Sequence, residues 1–326
     1  MSTRDCAKWT IQEVANSVIQ RLPIRLRAPI FGLNAPLLIG GLLAAAICVC
    51  VVLAPLLTPH DPLTPVTRIG GQLATRAPYP PGTPGLPLGS DTLSRDQLSR
   101  LLYGGRYTLL MCGLIALARV VLGTLLGILA GWYAGSRRVI GAVASAWSAV
   151  PSLFFAFIAI PITANAIRGH PQIDNPITGA VAFTVALSLT GWAETTARTH
   201  VAVQGLRAAP FVEAAYAIGL SRWAVLWRHI LPNLRDVLLI EAAAALSSAL
   251  LIVAELGFFS LFIGGGTEDF YGSKYPDPIY AEWGSMLAKG LRQRGLGIWL
   301  LIEPLIAFTI TILAFNLLAE GLRRRR

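Results

Sequence analysis

The sequence predicts an all-α integral membrane protein with six transmembrane helices. Of its 326 residues, 54% are hydrophobic and only 13% are charged, whereas a soluble domain carries about 25% charged residues. Six separate runs reach the length of about 20 apolar residues that a helix needs to cross a bilayer. A soluble fold of this size has too small a core to bury so much apolar side chain. The composition therefore argues against soluble enzymes, disulfide-stapled secreted domains and disordered chains.

The six predicted spans follow one another along the chain. They cover residues 35–57, 107–133, 139–163, 177–197, 237–263 and 296–319. Small residues recur within them, for example Gly123, Gly127 and Gly131 in the second span. Small residues let helices approach closely in lipid, which supplies no hydrophobic force between helices.

The distribution of basic residues predicts that both termini lie in the cytoplasm. With this orientation 16 Lys and Arg residues fall in inner segments and ten in outer segments, as the positive-inside rule requires. The domain organisation follows from the orientation. We expect a cytoplasmic leader at 1–34, an extracytoplasmic loop at 58–106, a core at 107–319 and a basic tail at 320–326. Within the leader, residues 9–22 suit either a helix lying on the inner membrane surface or a solvated segment.

The extracytoplasmic loop is predicted to be extended at first and helical near its end. Residues 55–87 are rich in Pro, Gly and Thr, which do not build a core. Residues 91–106 place leucines among charges, so we expect a short helix at the outer interface with Asp91 as its N-cap.

The cytoplasmic loop at 205–233 is predicted to form two short helices joined by a turn. Pro210 suits the first turn of a helix, and the carboxylate of Glu213 is favoured near that positive end. Gly219 suits the left-handed residue that ends this helix. Ser221 then caps a second helix over 222–230, which Pro232 stops. Such an element is either a surface that a partner grips or a solvated connection.

This loop resembles the EAA motif of ABC importer permeases, in which EAA-x3-G is followed by I-x-LP or a variant. The matching residues are Glu213, Ala214 and Ala215, then Gly219, then Ile230, Leu231 and Pro232. Further stretches resemble the second permease subunit of dipeptide, oligopeptide and nickel importers, and the similarity runs from about residue 35 to 322. These stretches are 88–91 (LGSD), 94–104, 149–152, 255–261, 283–287 and 314–322. Ser94 stands where that family has glycine, and the family's acidic ending is absent.

The resemblance implies a type I ABC importer permease fold and a role as a non-enzymatic transport subunit. The implied partners are a homologous permease in a heterodimer, two ABC ATPases, an extracytoplasmic solute-binding protein and the lipid bilayer. The residues implied to couple to the ATPases are Glu213, Ala214, Ala215, Ala217, Gly219, Leu220, Ile230, Leu231 and Pro232. The sequence contains no G-x4-G-K-[ST] phosphate loop, so we expect ATP hydrolysis on the partner subunits. We expect no cofactor, no metal site and no nucleic-acid partner, because neither ligand clusters nor a basic stripe occurs.

Three charges inside the predicted spans are candidate functional residues, because a charge in the hydrocarbon region is costly. Arg119 suits either an intramembrane ion pair with Glu255 or Glu303 or a position lining a pathway. Glu194 and Glu241 are expected at the membrane interface. The alternative function is a proton-coupled secondary transporter that uses Glu255 and Glu303 as proton carriers.

Overall fold

The computed structural model describes residues 34–73, 77–168, 176–262, 267–270, 273–276 and 281–325. The predicted leader, with its helix at 9–22, lies outside this part of the chain. The all-α prediction is confirmed, since the described strands form only two short antiparallel hairpins. The first half contains α1 (Ala35–Val52), α2 (Ala54–Leu57), β1 (Arg68–Ile69), β2 (Gln72–Leu73), α3 (Gln97–Trp132), α4 (Ala134–Ser148) and α5 (Ser152–Arg168).

The second half of the described chain continues the bundle and adds a helical hairpin. Its elements are α6 (Pro176–Ser188), α7 (Trp192–Arg207), α8 (Pro210–Ala217), α9 (Arg222–Val225), a π-helical turn (Leu226–Ile230), α10 (Leu231–Asn233), α11 (Arg235–Phe258), β3 (Thr267–Phe270), β4 (Ser273–Pro276), α12 (Trp283–Arg292) and α13 (Trp299–Arg325). We call the end of the bundle that carries residues 208–234 the loop end. The opposite end, which carries residues 58–73, 77–96 and 282–298, is the cap end.

In the described part of the chain, four helices are long and apolar enough to cross a membrane, namely α1, α3, α11 and α13. The number rises to five if the bent pair α4 and α5 forms one broken span. The predicted count of six uninterrupted spans is therefore not confirmed. The run at 139–163 is bent by 85° between α4 and α5, and the run at 177–197 is split into α6 and α7.

Each break has a local physical cause. Pro151 precedes α5 and disfavours the helical conformation of Val150 before it. Gly191 adopts a φ of 71°, a left-handed conformation that a continuous right-handed helix does not contain. The length of the apolar runs alone did not reveal either break, although Pro151 and Gly191 are visible in the sequence.

The predicted short helix at 91–106 and the second span are one helix, α3. Its N-cap is Asp96, whose carboxylate accepts hydrogen bonds from the backbone N–H groups of Leu98 (3.3 Å) and Ser99 (3.2 Å). The prediction that Asp91 caps a separate helix is wrong. No proline interrupts the chain between Gln97 and Trp132, so the helix continues into the bundle.

Asp91 instead anchors the cap end of the bundle. Its Oδ1 accepts the backbone N–H groups of Leu93 and Arg95, both at 2.9 Å. Its Oδ2 lies 2.7 Å from Arg95 Nε, 3.5 Å from Lys289 Nζ and 3.8 Å from Arg100 Nε. Burial raises the pKa of this carboxyl, but Arg100, Lys289 and Arg95 lower it to about 2. The ionised carboxylate thereby ties the loop to α3 and α12.

The bundle core lies between α3, α6, α11 and α13, and its closest contact joins α3 to α7. Gly123, Gly127 and Gly131 lie four residues apart and face α7. A Cβ at Gly127 would lie 2.6 Å from Thr199 Cβ and 2.8 Å from the Thr196 carbonyl oxygen. Glycine is therefore required for this approach, in the manner of small-residue contacts in membranes.

We expect Gly127→Leu to destabilise the bundle by about 1–3 kcal/mol or more, because the added side chain overpacks the contact with α7. Gly113→Ala in the same helix is the matched control, since nothing lies within 4 Å of a Cβ there, and it should be neutral or slightly stabilising. Thermal unfolding in mild detergent measures both variants. Equal melting temperatures for the two would contradict the packing argument.

We expect Asp91→Asn to cost about 3–5 kcal/mol, because three cations then lose their buried counter-charge. Asp61→Asn is the control, since Asp61 is an exposed turn residue whose Oδ1 accepts Leu63 N–H and Thr64 N–H, a role that asparagine retains.

The contribution of Asp91 depends on pH with a defined sign. Its pKa in the folded chain is about 2 and in the unfolded chain about 3.9. The stabilisation is complete above about pH 4 and is lost as the pH falls toward 2. The stability difference between wild type and Asp91→Asn, measured by thermal unfolding, should shrink over that window. A difference that is constant from pH 5 to pH 2 would argue against the ionised cluster.

Candidate functional site

The hairpin at the loop end, residues 210–233, begins with a helix that ends as the sequence predicts. Pro210 occupies the first turn of α8. At its C-terminus the N–H of Gly219 donates to the Tyr216 carbonyl (2.9 Å) and the N–H of Leu220 donates to the Ala215 carbonyl (3.1 Å). This pair of bonds is a Schellman motif. It requires the φ of 87° that Gly219 adopts.

The second helix of the hairpin starts as predicted but does not stop at Pro232. Ser221 Oγ accepts the N–H of Ala224 (3.3 Å) and caps α9. The chain then widens into the π-helical turn Leu226–Ile230 and continues through α10 to Asn233. The predicted end at Pro232 is wrong, because the wider turn accommodates a residue that has no N–H to donate. Asn233 Nδ2 also donates to the His229 carbonyl (2.6 Å).

The predicted motif divides between two faces of the hairpin. Ala215 and Ile230 point inward and are buried, together with Val212. Leu220 and Leu231 are half-buried. The outward face carries Glu213, Ala214, Ala217, Gly219 and Pro232. A carboxylate beside small side chains is therefore presented at the surface.

The outward face also carries large apolar side chains that sequence reasoning missed. Trp223 and Trp227 lie four residues apart and are exposed, as are Phe211, Tyr216 and Ile218. Residues at i and i+4 share a helix face. Two tryptophans at that spacing in a polar connection were the signal in the sequence. Exposed aromatic and apolar side chains at this density indicate a protein contact surface.

A buried cluster connects the hairpin to the bundle. The cluster consists of Trp132 from α3, Val203 from α7, Val212 and Ala215 from α8, and Val225, Leu226, Ile230 and Leu234. Arg207, the last residue of α7, donates from Nη1 to the carbonyl oxygens of Gly131 (2.8 Å) and Trp132 (3.1 Å). Its guanidinium also lies 5.3 Å from the centre of the Trp132 ring. The hairpin is thus attached to the ends of α3 and α7.

Arg119 lies inside the bundle, where the sequence predicted a charge, but its partners are neutral. It is almost fully buried. Its Nε donates to the Leu187 carbonyl (3.0 Å), Nη1 to Ser248 Oγ (3.2 Å) and Nη2 to Thr190 Oγ1. Arg119 therefore braces the break between α6 and α7 against α11.

The predicted ion pair of Arg119 with Glu255 or Glu303 does not occur in the described part of the chain. The interrupted helix places a carbonyl and a hydroxyl within reach of the guanidinium, and neither was foreseeable from an apolar run. Glu255 is half-buried in α11. Glu303 is half-buried in α13, and its Oε2 is buried with no hydrogen-bond partner among the described residues.

A charged ladder joins α7 to α11. Arg198 Nη2 lies 3.4 Å from Glu194 Oε2, and Arg198 Nη1 lies 3.0 Å from Glu241 Oε2. Glu194, which the sequence predicts at the membrane interface, lies in the first turn of α7, directly after the break at Gly191. The spacing of Glu194 and Arg198 on one helix was the sequence signal, and the contact with Glu241 became visible only in the structure.

Comparison with known proteins gives consistent similarities. The family described as "Binding-protein-dependent transport system inner membrane component" matches residues 123–325. A putative peptide transport system permease protein of Brucella suis is 30% identical over 285 residues, which cover 87% of this chain and 85% of that protein. The dipeptide transport system permease protein of Haemophilus influenzae is 28% identical over 294 residues, covering 90% of each chain.

Among solved structures, a chain of the MetNI methionine ABC transporter in an inward-facing conformation has a similar fold. The TM-score is 0.52 at 18% identity, and the match covers 69% of this chain and 95% of that chain. At this level of identity the similarity concerns the fold alone.

Proposed function

Because the chain belongs to the family of binding-protein-dependent transport system inner membrane components, we propose that it is one of two permease subunits of an ABC importer for peptides or a related small solute. The type I importer permease fold expected from the sequence is confirmed. The family match argues against a proton-coupled secondary transporter. We propose peptides as the solute class because the similar proteins are named as peptide and dipeptide transport system permeases.

The hairpin supports a coupling role because it combines an exposed face with a rigid attachment. Outward, Glu213 offers a carboxylate to a basic or hydroxyl group of an ATPase cleft, and the neighbouring alanines allow close approach. Inward, Val212 and Ala215 belong to the same buried cluster as Trp132 and Val203. A displacement of the hairpin is therefore transmitted to α3 and α7 rather than absorbed by a loose linker.

The remaining parts of the proposed assembly follow from this arrangement. Two separate ATPase subunits dimerise on ATP beneath the permeases, since this chain has no phosphate loop. A homologous permease completes the pathway, and an extracytoplasmic binding protein delivers the solute at the cap end. Both termini and the loop end are cytoplasmic in this proposal, as the Lys and Arg distribution favours.

We expect Gly219→Val to uncouple the hairpin from the ATPases. Nothing lies within 4 Å of a Cβ at this position, so the cost arises only from the positive φ, which β-branched residues strongly disfavour. A cost of about 1–2 kcal/mol in the turn displaces the second helix. The variant should insert normally in the membrane but lose copurification of the ATPases and ATP hydrolysis by the reconstituted complex.

Two matched variants isolate the backbone effect. Gly219→Asn should retain most of the ATPase association, because asparagine tolerates the left-handed conformation. Ala217→Val adds bulk on the same exposed face without a positive φ, and it should have a smaller effect than Gly219→Val. Wild-type coupling by Gly219→Val at matched abundance would defeat the assignment of this hairpin as the coupling element.

The proposed orientation predicts which surfaces an impermeant thiol reagent reaches in intact cells. In a chain whose four native cysteines are replaced, Thr64→Cys at the cap end should react from outside. Glu213→Cys at the loop end should react only after the membrane is opened. Both positions are exposed in the structure, so burial does not explain a difference. Reaction of Glu213→Cys in sealed cells would reverse the orientation.

A further inference from the structure

The two helix breaks meet at one polar cleft. The C-terminal ends of α4 and α6 and the N-terminal ends of α5 and α7 converge there. The cleft is small, with a volume of about 40 Å³, and its lining includes Trp147, Ser148, Ser152, Thr190 and Glu194. No coupling residue of the hairpin contributes to it, so the cleft is separate from the site described above.

The cleft lies deep in the bundle. Glu194 is 13 residues from the end of α7 at Arg207, and Arg119 is 13 residues from the end of α3 at Trp132. At 1.5 Å per residue, both lie about 20 Å from the loop end. The hydrocarbon core of a bilayer is about 30 Å thick. Interrupted backbone at this depth is tolerated only where protein buries it or where it lines a water-filled cavity.

Side-chain donors satisfy carbonyl and hydroxyl oxygens at the break between α6 and α7. Behind it, Arg119 donates to the Leu187 carbonyl and to Thr190 Oγ1. Beside it, Trp147 Nε1 donates to the Leu189 carbonyl (2.8 Å). Trp147 and Thr190 also line the cleft, and Glu194 is the one ionisable residue among the described residues of its lining.

The cleft and the helix face next to it carry charges that are unsuited to lipid. The side chains of Glu194 and Arg198 are 67% and 47% exposed, and that of Glu241 is 4% exposed. A second, largely open groove is lined by Arg198 and Glu241 and also by Arg323 near the end of α13. Ionisable side chains at this depth face a bundle interior or a water-filled space. The face formed by α7 and α11 therefore carries charged side chains from the cleft toward the loop end.

We propose that this cleft is a contact site for the transported solute and that Glu194 makes it selective for a cationic group, such as the amino group of a peptide. The inference rests on the proposed transport function. Arg119 is only 1% exposed and directs its donors to neutral partners, so it offers little to a solute. Arg198 is held between two carboxylates. The carboxylate of Glu194 is thus the charged group most available at the cleft, and a cation is its natural partner.

Thiol modification tests the sign of the electrostatic potential in the cleft and does not require the solute to be known. Ser148→Cys is introduced into a chain whose native cysteines are replaced, and the complex is assembled with its ATPases in proteoliposomes. The probes are two methanethiosulfonate reagents. One carries a cationic trimethylammonium-ethyl group, and the other carries an anionic sulfonatoethyl group. After correction for their rates with a free thiol, the cationic reagent should react about tenfold faster, as local fields concentrate counter-ions by about tenfold or more.

Control variants assign the preference to one residue. Adding Glu194→Gln should bring the two rates close together, whereas Glu320→Gln, an exposed carboxyl that pairs with Arg324, should leave the ratio unchanged. Ser152→Cys, also in the lining, provides a second reporter if Ser148→Cys assembles poorly. Leu117→Cys, exposed on the outer surface of α3, should react with neither reagent.

The outcomes separate this inference from the coupling proposal. Unreactive thiols at both reporters, equal rates, a preference for the anionic reagent or equal labelling of Leu117→Cys would overturn the cation site, even if the ATPases remain bound and active. A cationic preference that depends on Glu194 in a chain that binds no ATPases would support the cleft and would instead overturn the proposed function.

Discussion

The hydrocarbon core of the bilayer contains no water to satisfy backbone groups, and this constraint shapes the centre of the chain. Two of its apolar runs are broken near the middle of the bundle, where unpaired carbonyl groups are expensive. Arg119 resolves the break between α6 and α7 by donating to the Leu187 carbonyl and Thr190. The buried guanidinium of Arg119 therefore donates to neutral groups and stabilises the break. An ion pair with a carboxylate would have been the simpler expectation for a charge at this position.

A polar cleft lies where the two breaks meet. Because α7 starts again after Gly191, Glu194 lies at the cleft, and Arg198 lies one turn farther toward the loop end. The buried carboxylate of Glu241 holds Arg198 from the neighbouring helix. An uninterrupted helix through this region would have no such opening at its centre. The breaks are therefore the structural origin of the proposed solute site.

The helix that carries Glu194 also connects the cleft to the hairpin. Its last residue, Arg207, binds the carbonyl groups at the end of α3, while Thr199 and neighbouring residues pack against the glycines of α3. Close helix packing is stiff, because interiors at crystal-like density transmit displacement. In the proposed transporter, closure of the ATPases on Glu213 would therefore reach the cleft through α3 and α7.

The sequence by itself determined the membrane class, the α-helical fold, the family resemblance and the conformation of the hairpin turn. These features depend on local chemistry, since apolar run length, the left-handed preference at Gly219 and the cap at Ser221 are all legible along the chain. The partners of Arg119, the anchoring role of Asp91 and the ladder with Glu241 were decided only by the tertiary structure. Each of these depends on which atoms meet across 40 to 200 residues of sequence. Such contacts arise from helix packing, which neither hydropathy nor local spacing encodes.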